Sequence, residues 1–201
     1  MRMVGLHLSI QESNAYAVTE DDRNCVLIDC PDGRYYDKCI SAAGLIPKAV
    51  LLTHGHLDHA KGCAAFAEQG VKIYCGAGED KFIFSEENKS IFGVGVPEFR
   101  IEKTLKDGEE IEICGLKIKV IATPGHTVGG VSYLIGGYLF TGDTLFKGSI
   151  GRSDFPGGDY GQLVKSVKKL YALEGDFEVE SGHGFETTLD YERKHNAFVK
   201  A

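Results

Sequence analysis

The sequence predicts an α/β fold, a layered sandwich of sheets and helices built by one domain over residues 1–201. Three observations lead there. Short alternating or apolar runs of strand length recur along the whole chain, amphipathic helical stretches separate several of them, and no repeat, low-complexity tract or linker divides the sequence. Hydrophobic residues make up 43% and charged residues 25%, as in chains that bury an ordinary core.

The first third reads as a meander of strands. Val4, Leu6, Leu8 and Ile10 alternate with Gly5, His7 and Ser9, and strands at Ala15 to Thr19 and Cys25 to Asp29 follow across a polar turn at residues 20–24. A helix from about Tyr36 to Ala43 stops at Gly44, and Pro47 introduces the buried strand Ala49 to Leu52. After the motif at Thr53 to His59, a helix is expected over Ala60 to Gln69 and a strand over Val71 to Tyr74. Residues 78–100 predict a helix and a loop whose aromatics Phe82, Phe84, Phe92 and Phe99 pack locally, a substrate rim being the weaker alternative. Two hairpins follow: Glu110 to Ile113 with Leu116 to Ile121 around Cys114-Gly115, and Val131 to Ile135 with Tyr138 to Thr141 around Gly136-Gly137. Asp159 caps a helix carrying Leu163, Val167 and Leu170. A last strand spans Phe177 to Glu180, and a final helix spans Leu189 to Val199, entered through Thr187-Thr188.

Charge narrows the partners. Twenty-nine acidic against 22 basic residues give a net charge of −7, which disfavours nucleic acid and anionic membrane surfaces. No apolar run reaches signal-peptide or membrane-spanning length, and the six cysteines form no Cys-x-x-Cys pair, so a cytoplasmic protein with inert buried thiols is expected.

Of the seven histidines, three lie in His54-Gly55-His56-Leu57-Asp58-His59, directly after a buried strand. Imidazole and carboxylate donors at that spacing converge on a metal without strain, and Gly55 lets the loop turn tightly. Three more turns share one grammar, an apolar strand running into a glycine-bearing turn: His126 in Thr123-Pro124-Gly125-His126-Thr127, Asp143 in Thr141-Gly142-Asp143-Thr144, and His183 in Ser181-Gly182-His183-Gly184. Five histidines and two aspartates exceed what one catalytic zinc uses, so two divalent ions are expected, zinc first, with iron or manganese as alternatives. Asp143 is the natural shared ligand, with His54, His56 and His126 on one ion and Asp58, His59 and His183 on the other. Asp58 is also the expected catalytic carboxylate. A bridging water of lowered pKa would be the nucleophile of a hydrolytic reaction.

These motifs, together with Ser13-Asn14-Ala15-Tyr16, Val26-Leu27-Ile28-Asp29 and Phe140 to Phe146, resemble the metallo-β-lactamase superfamily, specifically its glyoxalase II-like hydrolases. The resemblance runs almost end to end. It implies a four-layer αβ/βα sandwich with a dinuclear edge and the same two ligand sets. Ser181 and Phe185 stand where such hydrolases usually carry proline around Gly-His-Gly, and the sequence ends at Ala201 without the helical C-terminal domain that binds glutathione in typical members.

The segment Phe146 to Gly158 resembles a loop of short glyoxalase II-like hydrolases and of persulfide dioxygenases. Arg152 there has two readings of equal weight: an anchor for a substrate carboxylate, or a local ion pair with Asp154. Phe146 and Phe155 are candidates to line the thiol-bearing end of a substrate, and Asp29 is a candidate to orient a ligand imidazole. His7 and His195 are read as surface residues.

The expected function is hydrolysis of a small thioester or other acyl compound, such as a hydroxyacyl-glutathione. The alternative is a mononuclear iron persulfide dioxygenase using His54, His126 and Asp143, and a nucleic-acid processing hydrolase ranks third.

Overall fold

The computed structural model describes residues 1–6 and 13–201. The expected alternation at Leu8 and Ile10, and His7 with it, lie outside the described residues.

Strands β1 (Arg2–Leu6), β2 (Ala15–Thr19) and β3 (Asn24–Ile28) form the antiparallel meander. Helix α1 (Gly33–Ala42) then crosses to β4 (Ile46–Leu51), which lies parallel to β3. Two short helices, α2 (Leu57–Ala60) and α3 (Cys63–Glu68), lead to β5 (Lys72–Gly76). Helices α4 (Glu79–Phe82) and α5 (Glu86–Phe92) lead to β6 (Ile101–Leu105), completing a six-stranded sheet in sequential order.

The second sheet also has six strands. Strands β7 (Glu110–Ile113), β8 (Leu116–Ala122), β9 (Val131–Ile135) and β10 (Tyr138–Gly142) run as antiparallel hairpins. A small hairpin, β11 (Leu145–Phe146) with β12 (Ser149–Ile150), precedes helix α6 (Tyr160–Tyr171). Strand β13 (Glu178–Ser181) returns parallel to β10, β14 (Thr187–Thr188) pairs at its outer edge, and α7 (Leu189–His195) follows.

The period of two along the strands sorts the apolar residues into three clusters, and three clusters require four layers. Cys25 and Leu27 of β3 face a cluster shared with Tyr36, Ile40 and Phe66 of the helices, while Val26 and Ile28 face the interior between the sheets. There they meet Ile118, Val120, Tyr133 and Phe140. On the far side, Leu139 and Ile121 pack with Leu163, Val167 and Leu170 of α6. This is the αβ/βα order that the resemblance implies.

Several elements differ from expectation, each for a local reason. Helix α1 starts at Gly33 because the Asp32 carboxylate accepts the Arg34 and Tyr35 amides at 3.0 and 2.9 Å. The helix expected over Ala60 to Gln69 is split, with the Gly62 amide drawn to Cys30 O at 2.7 Å, and the preceding turn puts Asp58 and His59 on a helix of their own. Helix α7 ends at His195, since the Asn196 carboxamide accepts the amides of Phe198 and Val199 instead of letting the helix run on. Strand β6 and the β11–β12 hairpin were not anticipated.

Candidate metal centre

Asp29, the 53–59 loop, the 123–127 loop, Asp143 and His183 follow the carboxyl ends of β3, β4, β8, β10 and β13, so one rim of the sandwich collects them all. The loops approach each other closely. A Cβ at Gly55 would lie 2.3 Å from Ile83 Cγ1, and one at Gly182 would lie 2.2 Å from Asp143 Oδ1, so both positions require glycine for space. At Gly55, crowding is therefore the constraint rather than the tight turn expected from the sequence.

Six of the seven expected donors meet in two groups, and Asp29, His54 and His59 are also close enough to share an ion. His54, His56 and His126 form one, exposed by only 2%, 2% and 4%. His56 Nδ1 lies 2.9 Å from His126 Nε2, and His54 Nε2 has no hydrogen-bond partner among the described residues. Asp58, His59 and His183 form the other, with His183 Nε2 3.3 Å from both Asp58 Oδ2 and His59 Nε2. Asp143 stands between them. Its Oδ2 is 3.5 Å from His126 Nε2 and 3.5 Å from His183 Nε2, and its Oδ1 is 3.4 Å from His59 Nε2. Donors held about 2.0–2.1 Å from one tetrahedral ion lie roughly 3.3 Å from each other, so these spacings and the orphaned nitrogen fit metal ions.

The opposite edges of the rings are fixed. His126 Nδ1 donates to Arg152 O at 2.7 Å, which leaves Nε2 as the lone-pair nitrogen. Asp29 Oδ2 lies 2.8 Å from His59 Nδ1, and the same carboxylate accepts the Thr53 amide and hydroxyl, each at 2.7 Å. Thr53 Oγ1 is in turn 3.1 Å from His54 Nδ1. Asp29 itself sits at φ 57°, a left-handed conformation that aspartate tolerates better than most residues. Ser13 Oγ donates to Asp58 Oδ2 at 3.1 Å.

Without metal the two groups carry opposite electrostatics. Burial, reinforced by neighbouring imidazoles, pushes His54 well down and His56 down to about 3, so both hold the neutral ligand form. Burial also opposes charge on His59 and His183, but nearby carboxylates win. Asp143, Asp58 and Asp29 push His59 up to about 10, and Asp58 with Asp143 raises His183. Asp58 is lowered in return, against its burial, by His59 and His183.

The substrate candidates sit around this centre unequally. Phe146 lies 6.3 Å from the His183 ring and Phe155 lies 6.1 Å from the His56 ring. The Arg152 guanidinium is bidentate on Asp154, both bonds 2.7 Å, and lies 3.6 Å from the Phe155 ring centre, as the local ion-pair reading expects. His195 stacks on Tyr191, away from the site. Phe82 and Phe92 reach the His56 ring at 5.9 and 5.8 Å, as the weaker alternative of a rim expects, whereas Phe84 and Phe99 pack on each other. One residue carries no such expectation. Glu79 is fully buried beneath the loops, and a glutamate in the first turn of a helix gives no signal of that.

Residues 10–183 match the metallo-beta-lactamase superfamily. The chain belongs to the metallo-β-lactamase superfamily. It is 36% identical over 204 residues to the hydroxyacylglutathione hydrolase GloC of Haemophilus influenzae, covering 94% of each chain. Its structure is similar to that of the B3 metallo-beta-lactamase BLEG-1, at a TM-score of 0.92 and 30% identity over the whole of both chains. It is also similar to TTHA1623 in a di-iron-bound form, with a TM-score of 0.85 and 32% identity over 98% of this chain and 100% of that one. The protein is thus a member of a metallo-hydrolase superfamily with histidine and aspartate groups that can hold metal. No described helix is long and apolar enough to cross a membrane.

Proposed function

We propose that the protein is a metal-dependent hydrolase of small thioesters of the hydroxyacyl-glutathione type, acting in the cytoplasm as one unit over residues 1–201. The observation that carries this reading is Asp143, one carboxylate within 3.5 Å of a donor nitrogen from each group. His54, His56 and His126 would hold one ion, Asp58, His59 and His183 the other, and Asp143 would serve both. Zinc is the first choice, with iron or manganese as alternatives; the donors suit all three. The similarity to GloC supports the substrate class, and six free cysteines suit a reducing compartment.

Two such ions, when bound, polarise a carbonyl oxygen and lower the pKa of water. The chain's own contribution is orientation. Asp29 and the Arg152 carbonyl hold His59 and His126 by the nitrogen that does not face the centre, which fixes tautomer and ring angle. Asp58 is the catalytic carboxylate, held below its usual range by His59 and His183 when no metal is bound and open to solvent on one side. Phe82, Phe92 and Phe155 form an apolar wall beside His56 for the thiol end of the substrate, with Phe146 by His183. The second donor group favours this reading over a mononuclear iron dioxygenase, which would need only His54, His126 and Asp143.

The test is one preparation measured three ways: bound metal by mass spectrometry, hydrolysis of lactoylglutathione, and persulfide-dependent oxygen uptake. About two ions per chain with thioester hydrolysis supports the proposal. One ion with oxygen uptake overturns it.

A further inference from the structure

Glu79, the first residue of α4, is 0% exposed, yet among the described residues no lysine or arginine pairs with it. An unpaired carboxylate in a core is costly, and an apolar residue would fill the space more cheaply. Its partners explain its presence. Oε1 accepts the Gly55 amide at 2.7 Å, while Oε2 accepts the Thr127 hydroxyl at 3.0 Å and the Gly129 amide at 2.8 Å. Gly55 lies between His54 and His56, and Thr127 follows His126. One carboxylate therefore ties together the two loops that carry the three-histidine group. Its partners Gly55 and Thr127 stand next to His54, His56 and His126, and none of the three stands next to Asp143 or His183; Asp58 and His59 follow Gly55 only after the chain has entered α2. The carbonyl of the same glycine is also gripped, since Asn88 Nδ2 donates to Gly55 O at 2.8 Å. An amide cannot replace the carboxylate. All three partners offer protons to it, and a glutamine would turn an NH2 group towards one of them.

We propose that Glu79 is the positioning residue of the three-histidine ion, setting the approach of His56 to His126 so that this ion alone depends on it. The inference rests on the two-ion reading above. Asp29 does the corresponding work for His59, so each donor group has a buried carboxylate beneath it.

The experiment titrates metal-free protein with zinc against a chromogenic chelator, in two backgrounds. In His183→Ala, which leaves the three-histidine ion, Glu79→Gln should weaken zinc roughly ten- to a hundredfold, the usual effect of losing a residue that orients metal ligands. In His126→Ala, which leaves the other ion, the same change should move affinity less than about threefold, within ordinary context scatter. Thr127→Val removes one of the three bonds and should act in the same direction but more weakly, which covers the case in which Glu79→Gln folds poorly. Equal weakening in both backgrounds, with a matching fall in the Tm of the metal-free protein, would make Glu79 a structural residue and overturn the proposal. So would no weakening in either. Wild-type stoichiometry separates the two claims. A single ion overturns the two-ion reading but still supports the positioning role if Glu79→Gln weakens it and refutes that role if it does not. No binding at all overturns both.

Discussion

The two donor groups differ in how far the protein has committed them in advance. His54, His56 and His126 are sealed among themselves, kept neutral by burial and fixed from beneath by Thr53, Glu79 and the Arg152 carbonyl. Asp58 and His183 keep side-chain exposures of 39% and 30%, and their group is organised by charge, with carboxylates holding His59 and His183 towards the cationic form when metal is absent. One group is a preformed socket of neutral nitrogens. The other must release protons to receive an ion and remains open to solvent while it holds one.

The largest test of the comparison removes the residue the groups share. Asp143→Ala should lose both ions and bring thioester hydrolysis to background, whereas His183→Ala should keep the ion of the three-histidine group. Metal counting on both variants checks this, and equal losses would deny that Asp143 is shared.

Glu79 provides the next effect. Burial, opposed by its donors at Gly55, Thr127 and Gly129, pushes its carboxyl up from 4.5 to about 7. The folded state then binds this proton more readily than the unfolded chain, so stability falls as pH rises through that window and is level above it. The difference amounts to about 3 kcal/mol at 1.36 kcal/mol per unit. His54 and His56, kept neutral by burial, slope the other way over the same range, so the reading is a difference: in denaturant melts of the metal-free protein between pH 4.5 and 7, the stability of the wild type relative to Glu79→Gln should fall as pH rises.

Metal removal comes third. Dialysis against a chelator should release the ion of the half-open group first, giving two phases rather than one. Each ion at a hundred times its Kd adds about 2.7 kcal/mol, or a Tm rise of roughly 5–10 °C for a chain of this size. A single release phase would show that the difference in exposure has no kinetic consequence.

The same contrast decides what could be read from the sequence. The donors were legible because each sits in a glycine-bearing turn after an apolar strand, and the structure brings all seven together. The layers were legible because β3, β4 and β10 alternate between two buried faces and β8 begins by alternating a buried face with an exposed one. Strand β6 was not, since Glu102, Lys103 and Thr104 on a sheet edge leave little apolar signal. The supports were harder still. Asp29, expected to orient a ligand imidazole, does reach His59 across 30 residues, but nothing in the sequence marked Glu79, which reaches Gly129 across 50, a separation that follows from sheet topology rather than from any local pattern.

The smallest expected effect concerns Arg152, whose two halves serve different ends. Its carbonyl fixes His126, which any residue can do, so Arg152→Ala should leave metal content intact. Its guanidinium is held by Asp154 and rests on Phe155, and both members of that ion pair are solvent-exposed. Exposed pairs contribute little, so the substitution should lower kcat/KM by no more than about fivefold, and equally for a glutathione thioester and a neutral thioester lacking its carboxylates. Steady-state kinetics on the two substrates check this. A selective rise in KM of roughly tenfold or more for the charged thioester would mean that the guanidinium leaves Asp154 for a substrate carboxylate, as a charge-assisted bidentate contact would require. The three-histidine group would then have a cationic anchor for substrate carboxylates beside it, since Phe155 lies against His56 and the Arg152 carbonyl holds His126, and the asymmetry between the two halves of the centre would extend from the metals to the substrate.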